Sequence, residues 1–512
     1  MGDYLLGLDA GNTVIKAVIF DLDGRELAHA AREGHSRMPK PGHVERDLGE
    51  FWKNAQAVIR ACIDAAAIDP QEIRAIGCAG HGNGLYALDK SGVPLIGIQS
   101  IDTRASALAE ELEAAGVGDI TIKIGRKRPW PAQTPTLMAW LKRYQPELFA
   151  RIGTIFLAKD YVTYRLTGER VSDVSDMSGC ALLNLDNRTY DPRLLDAFGL
   201  SGYERLLPRL VESDEIAGHV TPEAASVTGL AEGTPVVGGL FDVVASALGS
   251  GVTRSGAASI IAGTWSINQV IVDAPRLEGP IFMWSTYDRK RYMAMENSAT
   301  SAANLEWMVR EFFQDCPVGV SPFDQACELA ASVSPTRAGP FYHPFLYGAQ
   351  TDGNARAGFY GVGGWHGKGD LMRAVLEGVV FGHRWHIDRL RASGVNFADA
   401  VLSGGGSRSH IWSQMFADIL GLRITVARSR ETGALGAAIA AGTAVGLFSD
   451  FADGAARSVK VDRICEPDNE LAQLYQQRYE TYGSIAEQMT AIWKHMADGN
   501  RPPEGRSERM SD

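Results

Sequence analysis

The sequence contains one pattern twice, with the two copies 252 residues apart. Residues 10–21 (AGNTVIKAVIFD) and 262–273 (AGTWSINQVIVD) share six identities, and each reads as an apolar run, a turn of small residues and a second apolar run. That pattern is typical of a β-hairpin. Two unrelated hairpins would share it, but an offset of about half of a 512-residue chain favours a duplicated domain. We therefore predict two related domains, residues 1–250 and 251–512, joined at the glycine-rich segment 249–257.

Helix and strand patterns alternate in both halves. Amphipathic periodicity predicts helices at 48–67 and 371–391 and a terminal helix at 470–494, whereas the apolar runs 73–78 and 234–238 favour strands. This alternation is typical of an α/β fold, in which helices cover a sheet. Because paired domains usually bind their ligand in the crevice between them, we expect a functional cleft at the domain boundary.

The composition excludes several classes of protein. The chain has 50 Lys and Arg against 61 Asp and Glu, so its net charge of −11 argues against a nucleic-acid binder that relies on phosphate contacts. With 45% hydrophobic residues and no long apolar segment, we predict a globular protein that does not enter a membrane. The six cysteines form no C-x-x-C pair and the N-terminus does not read as a secretory signal, so we expect a cytoplasmic location.

The first hairpin turn carries groups suited to a phosphate and a metal ion. Residues 9–16 (DAGNTVIK) offer a glycine for close backbone approach, a hydroxyl, a cation and a hard oxygen ligand for Mg²⁺ or its waters, namely Gly11, Thr13, Lys16 and Asp9. The second copy of the turn supplies Gly263 and Thr264. A solvated turn would explain one copy alone, whereas two copies from two domains favour a shared polyphosphate ligand.

Two further glycine motifs lie where ligands often bind. Residues 402–409 (LSGGGSRS) follow an apolar run and lead into an amphipathic helix, which suits a nucleotide, although the spacing fits neither the dinucleotide nor the P-loop pattern. Gly238 and Gly239 precede Asp242 near the domain junction. A carboxylate there can accept a proton from a substrate hydroxyl. A helix N-cap uses the same residue type, so the local pattern leaves both roles open for Asp242.

Taken together, these motifs resemble the FGGY family of carbohydrate kinases over residues 4–490. The most specific match is residues 357–362 (AGFYGV), followed after seven residues by 370–377 (DLMRAVLE), which is similar to the second signature of the family. The resemblance implies two ribonuclease-H-like domains of the actin/hexokinase-like ATPase type around a central cleft. It also implies ATP and Mg²⁺ as cofactors, a small sugar or polyol as substrate, and a homodimer as one possible assembly.

The resemblance also implies residue roles. Asp242 matches the catalytic base and Asp9 the residue on the metal side. The residues that match sugar-binding positions are His81, Gly82, Asn83, Asp102, Arg104, Trp130 and Asp242 itself. The residues that match nucleotide-binding positions are Gly11, Asn12, Thr13, Lys16, Gly263, Thr264, Glu306, Gly404, Gly405, Gly406, Ser407 and Ser409.

Departures from the pattern of xylulokinases bear on the substrate. Those enzymes usually show Q-M-H-G where this chain has residues 81–84 (HGNG), a tryptophan at Ser100, and G-E-R-T-P at residues 348–352 (GAQTD). The differences disfavour D-xylulose. We expect phosphorylation of a primary hydroxyl of an L-ketopentose such as L-xylulose, with a polyol such as erythritol or glycerol as the alternative. The rival from another class is an actin-fold ATPase or interaction protein without sugar-kinase activity.

Overall fold

The two halves of the chain are each built on a large mixed sheet. A computed structural model of the protein describes residues 2–499 apart from 278, 280, 314, 315, 317, 318, 350 and 351, and only the backbone of 498 and 499. Each half contains one seven-stranded sheet.

The elements of the first half run from strand β1 to helix α10. Its strands are β1 (Tyr4–Ala10), β2 (Val14–Asp21), β3 (Glu26–Glu33), β4 (Ser36–Arg37), β5 (Glu45–Arg46), β6 (Ile73–Gly80), β7 (Leu85–Asp89), β8 (Pro94–Ile98), β9 (Ile152–Phe156), β10 (Val171–Asp173), β11 (Leu183–Asn184), β12 (Thr189–Tyr190), β13 (Arg209–Val211), β14 (Ile216–His219), β15 (Pro235–Val237) and β16 (Leu240–Phe241). Its helices are α1 (Leu48–Ala66), α2 (Ser106–Ala114), α3 (Val117–Gly125), α4 (Thr134–Tyr144), α5 (Pro146–Arg151), α6 (Ala158–Thr167), α7 (Val174–Gly179), α8 (Pro192–Ala197), α9 (Pro222–Thr228) and α10 (Asp242–Gly249).

The second half continues with strand β17. Its strands are β17 (Ala258–Ala262), β18 (Ser266–Val272), β19 (Met283–Thr286), β20 (Tyr292–Ser298), β21 (Phe341–His343), β22 (Gly358–Tyr360), β23 (Asp399–Ser403), β24 (Arg423–Ala427) and β25 (Val461–Cys465). Its helices are α11 (Ala303–Phe312), α12 (Pro322–Ala331), α13 (Lys368–Ala392), α14 (His410–Leu420), α15 (Thr432–Ala444), α16 (Phe451–Ser458) and α17 (Ala472–Gly499).

Strand order and direction correspond between the two large sheets. The first runs β14-β15-β6-β1-β2-β3, with β16 also paired to β6, and the second runs β25-β24-β23-β17-β18-β20-β19. The predicted hairpins are β1–β2 and β17–β18, both antiparallel. Each hairpin pairs in parallel with the strand beside it, β6 or β23. The sequence repeat therefore marks the same corner of two sheets of the same topology.

The predicted elements lie where the patterns place them. The helix predicted at 48–67 is α1, and those at 371–391 and 470–494 lie in α13 and α17, while the predicted strands correspond to β6 and β15. The N-cap role for Asp242 is wrong, since α10 starts at Asp242 itself and Phe241 is its N-cap residue. Among the described residues, no helix combines the length and apolar character needed to cross a membrane.

One helix of the second half belongs to the core of both halves. Helix α15 is rich in Ala and Gly and is buried along nearly its whole length, because it packs on β1 and β6 of the first sheet and on α10. One apolar cluster accordingly contains Leu5 and Ala75 from the first half together with Ala434 and Ala438 from the second. The halves that the repeat defines are thus joined by a common core.

Glycines bring the backbones of these elements close together. A Cβ at Gly7 of β1 would lie 2.0 Å from the carbonyl oxygen of Ala434, and one at Gly77 of β6 would lie 2.0 Å from that of Ala437. In the opposite direction, a Cβ at Gly436 of α15 would lie 1.9 Å from the carbonyl oxygen of Ala245 in α10. Real side chains do not approach backbone atoms so closely, so only glycine permits this spacing.

We expect Gly436→Ala to destabilise the protein, because the methyl group must push α15 away from α10. Overpacking of this kind costs about 1–3 kcal/mol, so thermal unfolding monitored by circular dichroism should begin several degrees lower. Gly483→Ala in α17 is the matched control, since its Cβ would meet no atom within 4 Å. Alanine is the better helix former by about 1 kcal/mol, so that variant should be as stable as the parent or more so. Equal melting temperatures for the two variants would contradict the packing argument.

Candidate active site

A cavity of about 460 Å³ opens between the two sheets, and both halves line it. The first half contributes the hairpin residues Asp9 and Asn12, the loop after β6, and Asp242 at the start of α10. The second half contributes Gly263 and Thr264 from its own hairpin turn. The two copies of the repeat therefore face one space, as the sequence predicted.

Two carboxyl groups, Asp9 and Asp242, line this cavity, and both residues are partly buried. Burial, reinforced by the charge of Asp9, raises the pKa of Asp242 to about 8. Burial also raises the pKa of Asp9 to about 6, although the Lys16 cation opposes the shift. A carboxyl group with a pKa near neutrality is suited to exchange a proton with a hydroxyl group.

Asp9 is held between the hairpin and the start of α15. A Cβ at Gly433, in the first turn of α15, would lie 2.9 Å from Asp9 Oδ2, so glycine leaves room for the carboxylate there. Across the hairpin, Lys16 pairs with Asp9 in strand register, and its Nζ lies 2.7 Å from Glu431 Oε2. The lysine therefore bridges the first hairpin to the second half of the chain.

Aromatic rings and polar side chains lie together on the side of the cavity that the first half forms. His81 is buried, with Nε2 2.8 Å from Tyr86 Oη, and burial together with the charge of Arg46 lowers its pKa to about 3, so its imidazole is neutral. The side chain of Asn83 has no hydrogen-bond partner for Oδ1 among the described residues, and neither has Trp130 Nε1. Buried polar atoms normally find partners, so these atoms suit a ligand rich in hydroxyl groups.

Phe282 of the second half completes this wall. Its ring lies 6.4 Å from that of Trp130, centroid to centroid, and both rings line the cavity. The backbone N–H of Phe282 donates to Glu296 Oε1 at 2.7 Å, which fixes the segment just before β19. This aromatic wall is therefore shared between the halves, whereas the sequence placed the predicted sugar-binding residues in the first half alone.

A second cavity, of about 550 Å³, lies over the ends of β23 and β24. Its floor includes Gly404 and Gly405, and a Cβ on Gly405 would meet no atom within 4 Å, so the backbone there is open to a ligand. The walls carry more cations than anions, since Lys16, Arg408, Arg428, Arg430 and Arg463 line them together with Asp462, which pairs with Arg463. Since Lys16 belongs to the first hairpin, this basic cavity lies beside that hairpin.

Other predicted site residues have structural contacts instead. Arg104 donates to both carboxylate oxygens of Asp102 and to Glu45 Oε1, and both side chains of the pair are fully buried away from the two cavities. Arg104 Nη1 has no hydrogen-bond partner among the described residues, so a contact of this pair with a sugar stays a prediction. Ser409 accepts from Trp412 N–H as the N-cap of α14 and lines neither cavity, whereas Ser407 donates to the carbonyl of Gly404 and lines the second cavity.

Four further predicted nucleotide contacts line neither cavity. Gly11 lies in the first hairpin turn, where its N–H donates to the carbonyl of Val14 at 3.1 Å. Thr13 is exposed on the first hairpin turn, and Glu306 is exposed on α11. Gly406 is buried, and a Cβ there would lie 2.8 Å from that of Ala262, so it serves close packing of the loop on β17. This structure gives no support to direct contacts by these residues.

Sequence reasoning missed residues that only the tertiary fold brings to the cavities. Met283 and Asn297 lie on β19 and β20 and reach the cavity because the second sheet extends to that side. Arg428 and Arg430 precede α15. Two arginines just before the Ala- and Gly-rich segment that forms α15 were a pattern from which an anion-binding site could have been predicted.

The oxygen donors at the first cavity suit a magnesium ion that is bound mainly through phosphate and water. Asp9 offers a partly buried carboxylate, and Asn12 Oδ1 has no partner among the described residues. The described residues contain no group of three or more His, Cys, Asp or Glu side chains arranged around a metal. One or two protein oxygens together with substrate phosphates is the usual arrangement for Mg²⁺, so these residues fit the ion.

Comparison with known proteins extends over nearly the whole chain. The N-terminal domain of the FGGY family of carbohydrate kinases matches residues 4–249, and its C-terminal domain matches residues 258–445. The chain is 35% identical over 485 residues to the L-xylulose/3-keto-L-gulonate kinase of Escherichia coli (strain K12), covering 94% of this chain and 96% of that protein. It is 34% identical over 496 residues to a probable L-xylulose kinase of Pasteurella multocida (strain Pm70), covering 96% and 100%.

A solved structure agrees with the fold. The crystal structure of xylulose kinase from Rhodospirillum rubrum superposes with a TM-score of 0.86 at 26% identity, covering 96% of this chain and 100% of that one. The resemblance stated from the motifs, and the two-domain α/β fold of the actin-like ATPase type that it implied, are thus confirmed. The chain belongs to the FGGY family of carbohydrate kinases, enzymes that use ATP to phosphorylate small sugars and polyols.

Proposed function

We propose that this kinase phosphorylates a primary hydroxyl of a ketopentose such as L-xylulose, with Asp242 as the general base. One observation supports the proposal above all: Asp242 lines the cavity that residues of both hairpin turns also line. A phosphate on the turns and a hydroxyl at Asp242 would then share one small space. The relatives named L-xylulose kinases support the ketopentose.

The reaction follows from that placement. The Asp242 carboxylate takes the proton of the substrate hydroxyl while the oxygen attacks the γ-phosphorus of ATP, and the bond from that phosphorus to the bridging oxygen breaks, so that ADP leaves. Since phosphoryl transfer needs positioning and charge stabilisation more than covalent help, the second hairpin turn, with Gly263 and Thr264 at the cavity, serves to hold phosphate oxygens. Asp9 and Asn12 would hold Mg²⁺, which would supply positive charge to the phosphates.

The rest of the nucleotide lies along the basic cavity. The ends of β23 and β24 present Gly405 without a side chain, and Arg428, Arg430 and Lys16 supply positive charge for the polyphosphate. The sugar occupies the opposite end, between Trp130 and Phe282, where polar groups without protein partners meet its hydroxyls.

Replacing Asp242 with asparagine should abolish turnover while nucleotide binding persists. Loss of a general base typically lowers the rate on the order of 10²- to 10⁴-fold. The measurement is ADP release with a panel of pentuloses, tetritols and glycerol, with ATP binding followed by calorimetry. Asp64→Asn, on the exposed face of α1, controls for the change of charge. Near-parental turnover by the Asp242 variant would remove this residue from the proposed role.

As the pH rises, the rate of the reaction should increase, whereas the contribution of Asp242 to the stability of the fold should decrease. Because burial raises the pKa of Asp242 to about 8, only about a tenth of the free enzyme is ionised at pH 7, and kcat/KM should rise with pH up to about 8. The folded-state pKa lies above the usual 3.8 of the unfolded chain, so the stabilising contribution is complete below about pH 4 and is lost as the pH rises through 8.

Asp242→Asn should remove both trends. Its melting temperature should exceed that of the parent protein by more at pH 8.5 than at pH 5, because asparagine needs no proton to remain neutral. Differential scanning calorimetry at the two pH values makes the comparison. A difference that does not change with pH would contradict the raised pKa.

Replacing Arg430 with alanine should weaken ATP binding selectively. A phosphate contact by a cation in a partly exposed cavity is worth about 1–2 kcal/mol, so KM for ATP should rise roughly five- to thirtyfold, with KM for the sugar almost unchanged. Arg423→Ala is the matched control, because Arg423 lies at the opposite end of β24 and pairs with Glu466. Equal effects of the two variants on KM for ATP would argue against nucleotide in the basic cavity.

A further inference from the structure

A buried hydrogen-bond network lies behind the segment that carries Asp242, and we propose that Ser175 is the positioning residue through which this network acts on Asp242. The inference rests on the proposed role of Asp242 as the base. Ser175 lies on α7 and is fully buried outside the cavity, so its own side chain cannot meet the substrate.

The hydroxyl of Ser175 connects a carboxylate to the backbone of Phe241. Its Oγ lies 2.5 Å from Asp173 Oδ2 and accepts a hydrogen bond at 3.0 Å from the backbone N–H of Phe241. Because a carboxylate only accepts hydrogen bonds, the hydroxyl proton of Ser175 points to Asp173, and an oxygen lone pair remains for Phe241. The direction of both bonds is thereby fixed.

Asp173 is itself held on several sides. Lys159 Nζ lies 2.7 Å from Asp173 Oδ1, and the hydroxyl of Ser213 donates to Asp173 Oδ2 at 2.9 Å. Lys159 also contacts Asp160, whose other oxygen accepts from Ser172 Oγ at 2.5 Å. Ion pairs buried to this degree cost desolvation and are weak evidence for stability, so a role in fixing local geometry accounts better for their presence.

The network reaches the segment 238–242 at several peptide groups. Gly238 N–H donates to the carbonyl of Glu215 at 2.9 Å, and Gly239 N–H donates to the carbonyl of Ser213 at 3.2 Å. Ser175 provides the next bond, at Phe241, which is the residue immediately before Asp242 and the N-cap of α10. A second side-chain contact, from Lys159 Nζ to the carbonyl of Gly238, is longer, at 3.5 Å, and lies farther from Asp242 in the chain. The bond from Phe241 to Ser175 is therefore the side-chain contact nearest to Asp242 along this segment, and it can be removed without a change in the backbone.

Loss of this bond should move Asp242 relative to the substrate hydroxyl. Displacement of a reacting group by about 1 Å can lower the rate as much as 10²-fold. We therefore expect Ser175→Ala to lower kcat about 10- to 100-fold, with KM for ATP within a factor of about two of the parent value, because the hairpin turns and the basic cavity are untouched.

Ser213→Ala is the matched control for the network. It removes a hydroxyl bond to the same oxygen of Asp173 but none to Phe241, and its backbone carbonyl still accepts from Gly239. We expect kcat within about threefold of the parent. If the network served stability alone, the two variants would lower the melting temperature and kcat alike, and that result would overturn the proposal.

A double-mutant cycle with Asp242→Asn separates the inference from the function on which it rests. If Ser175 acts only through Asp242, then Ser175→Ala should cost less than twofold in the Asp242→Asn background, measured by single-turnover transfer of labelled γ-phosphate. An equal loss in both backgrounds would show that Ser175 acts elsewhere, even with Asp242 confirmed as the base. Full activity of Asp242→Asn alone would instead overturn the proposed base, and the positioning role with it.

Two further variants keep the test decisive. Ser175→Thr retains the hydroxyl and should recover most of the rate lost in the alanine variant. Ser175→Cys nearly conserves volume but makes weak hydrogen bonds, and it replaces the alanine variant in the cycle should that protein not fold. Parental kcat in the cysteine variant, with its Sγ a poor acceptor for Phe241 N–H, would overturn the proposal.

Discussion

The close backbone contact of α15 with β1, β6 and α10 is the constraint on which the rest of the molecule depends. It allows α15, a helix from the second half, to pack between the first sheet and α10. Glycines lie at the points of closest approach, where the Cβ of any other residue would meet a backbone atom of the neighbouring element. Since Asp9 ends up beside Gly433 and Asp242 starts α10, this contact also brings the two carboxyl groups of the site together.

That arrangement places the carboxyl groups of Asp9 and Asp242 where ionisation is unfavourable. Burial raises the pKa of Asp9 to about 6 although the Lys16 cation opposes the shift, and burial reinforced by the charge of Asp9 raises the pKa of Asp242 to about 8. Perturbed pKa values of this kind are typical of functional sites, and the role proposed for Asp242 as a base depends on this shift toward neutrality.

Local features of the sequence were predictable, whereas contacts between distant segments were not. Both hairpins and helices such as α1 depend on periodicity and turn residues that a single sequence displays, and α14 is capped by Ser409 within its own motif. The five-stranded sheet β4-β5-β8-β7-β9 joins short strands far apart in the chain, so no local pattern marks it. Asp102 and Arg104 match sugar-binding positions of the family, yet in the fold their side chains form a buried ion pair with each other. Phe282 reaches the aromatic wall of the first cavity because β19 extends the second sheet toward α7.

The contact of β19 with α7 also limits how the two halves can move. Ser285 Oγ donates to the carbonyl of Ser175 at 2.6 Å, and Thr286 N–H donates to Ser178 Oγ at 2.9 Å, so the halves are joined here as well as at α10 and α15. A relative motion of the halves has to preserve these contacts and the packing of α15 on α10, or to break them. Asp242 begins α10 and Phe282 immediately precedes β19, so each of these cavity residues belongs to a segment that is tied to one of the contacts. We therefore expect the two residues to keep their places if the halves close around a ligand, and closure of this kind excludes water before a group is transferred.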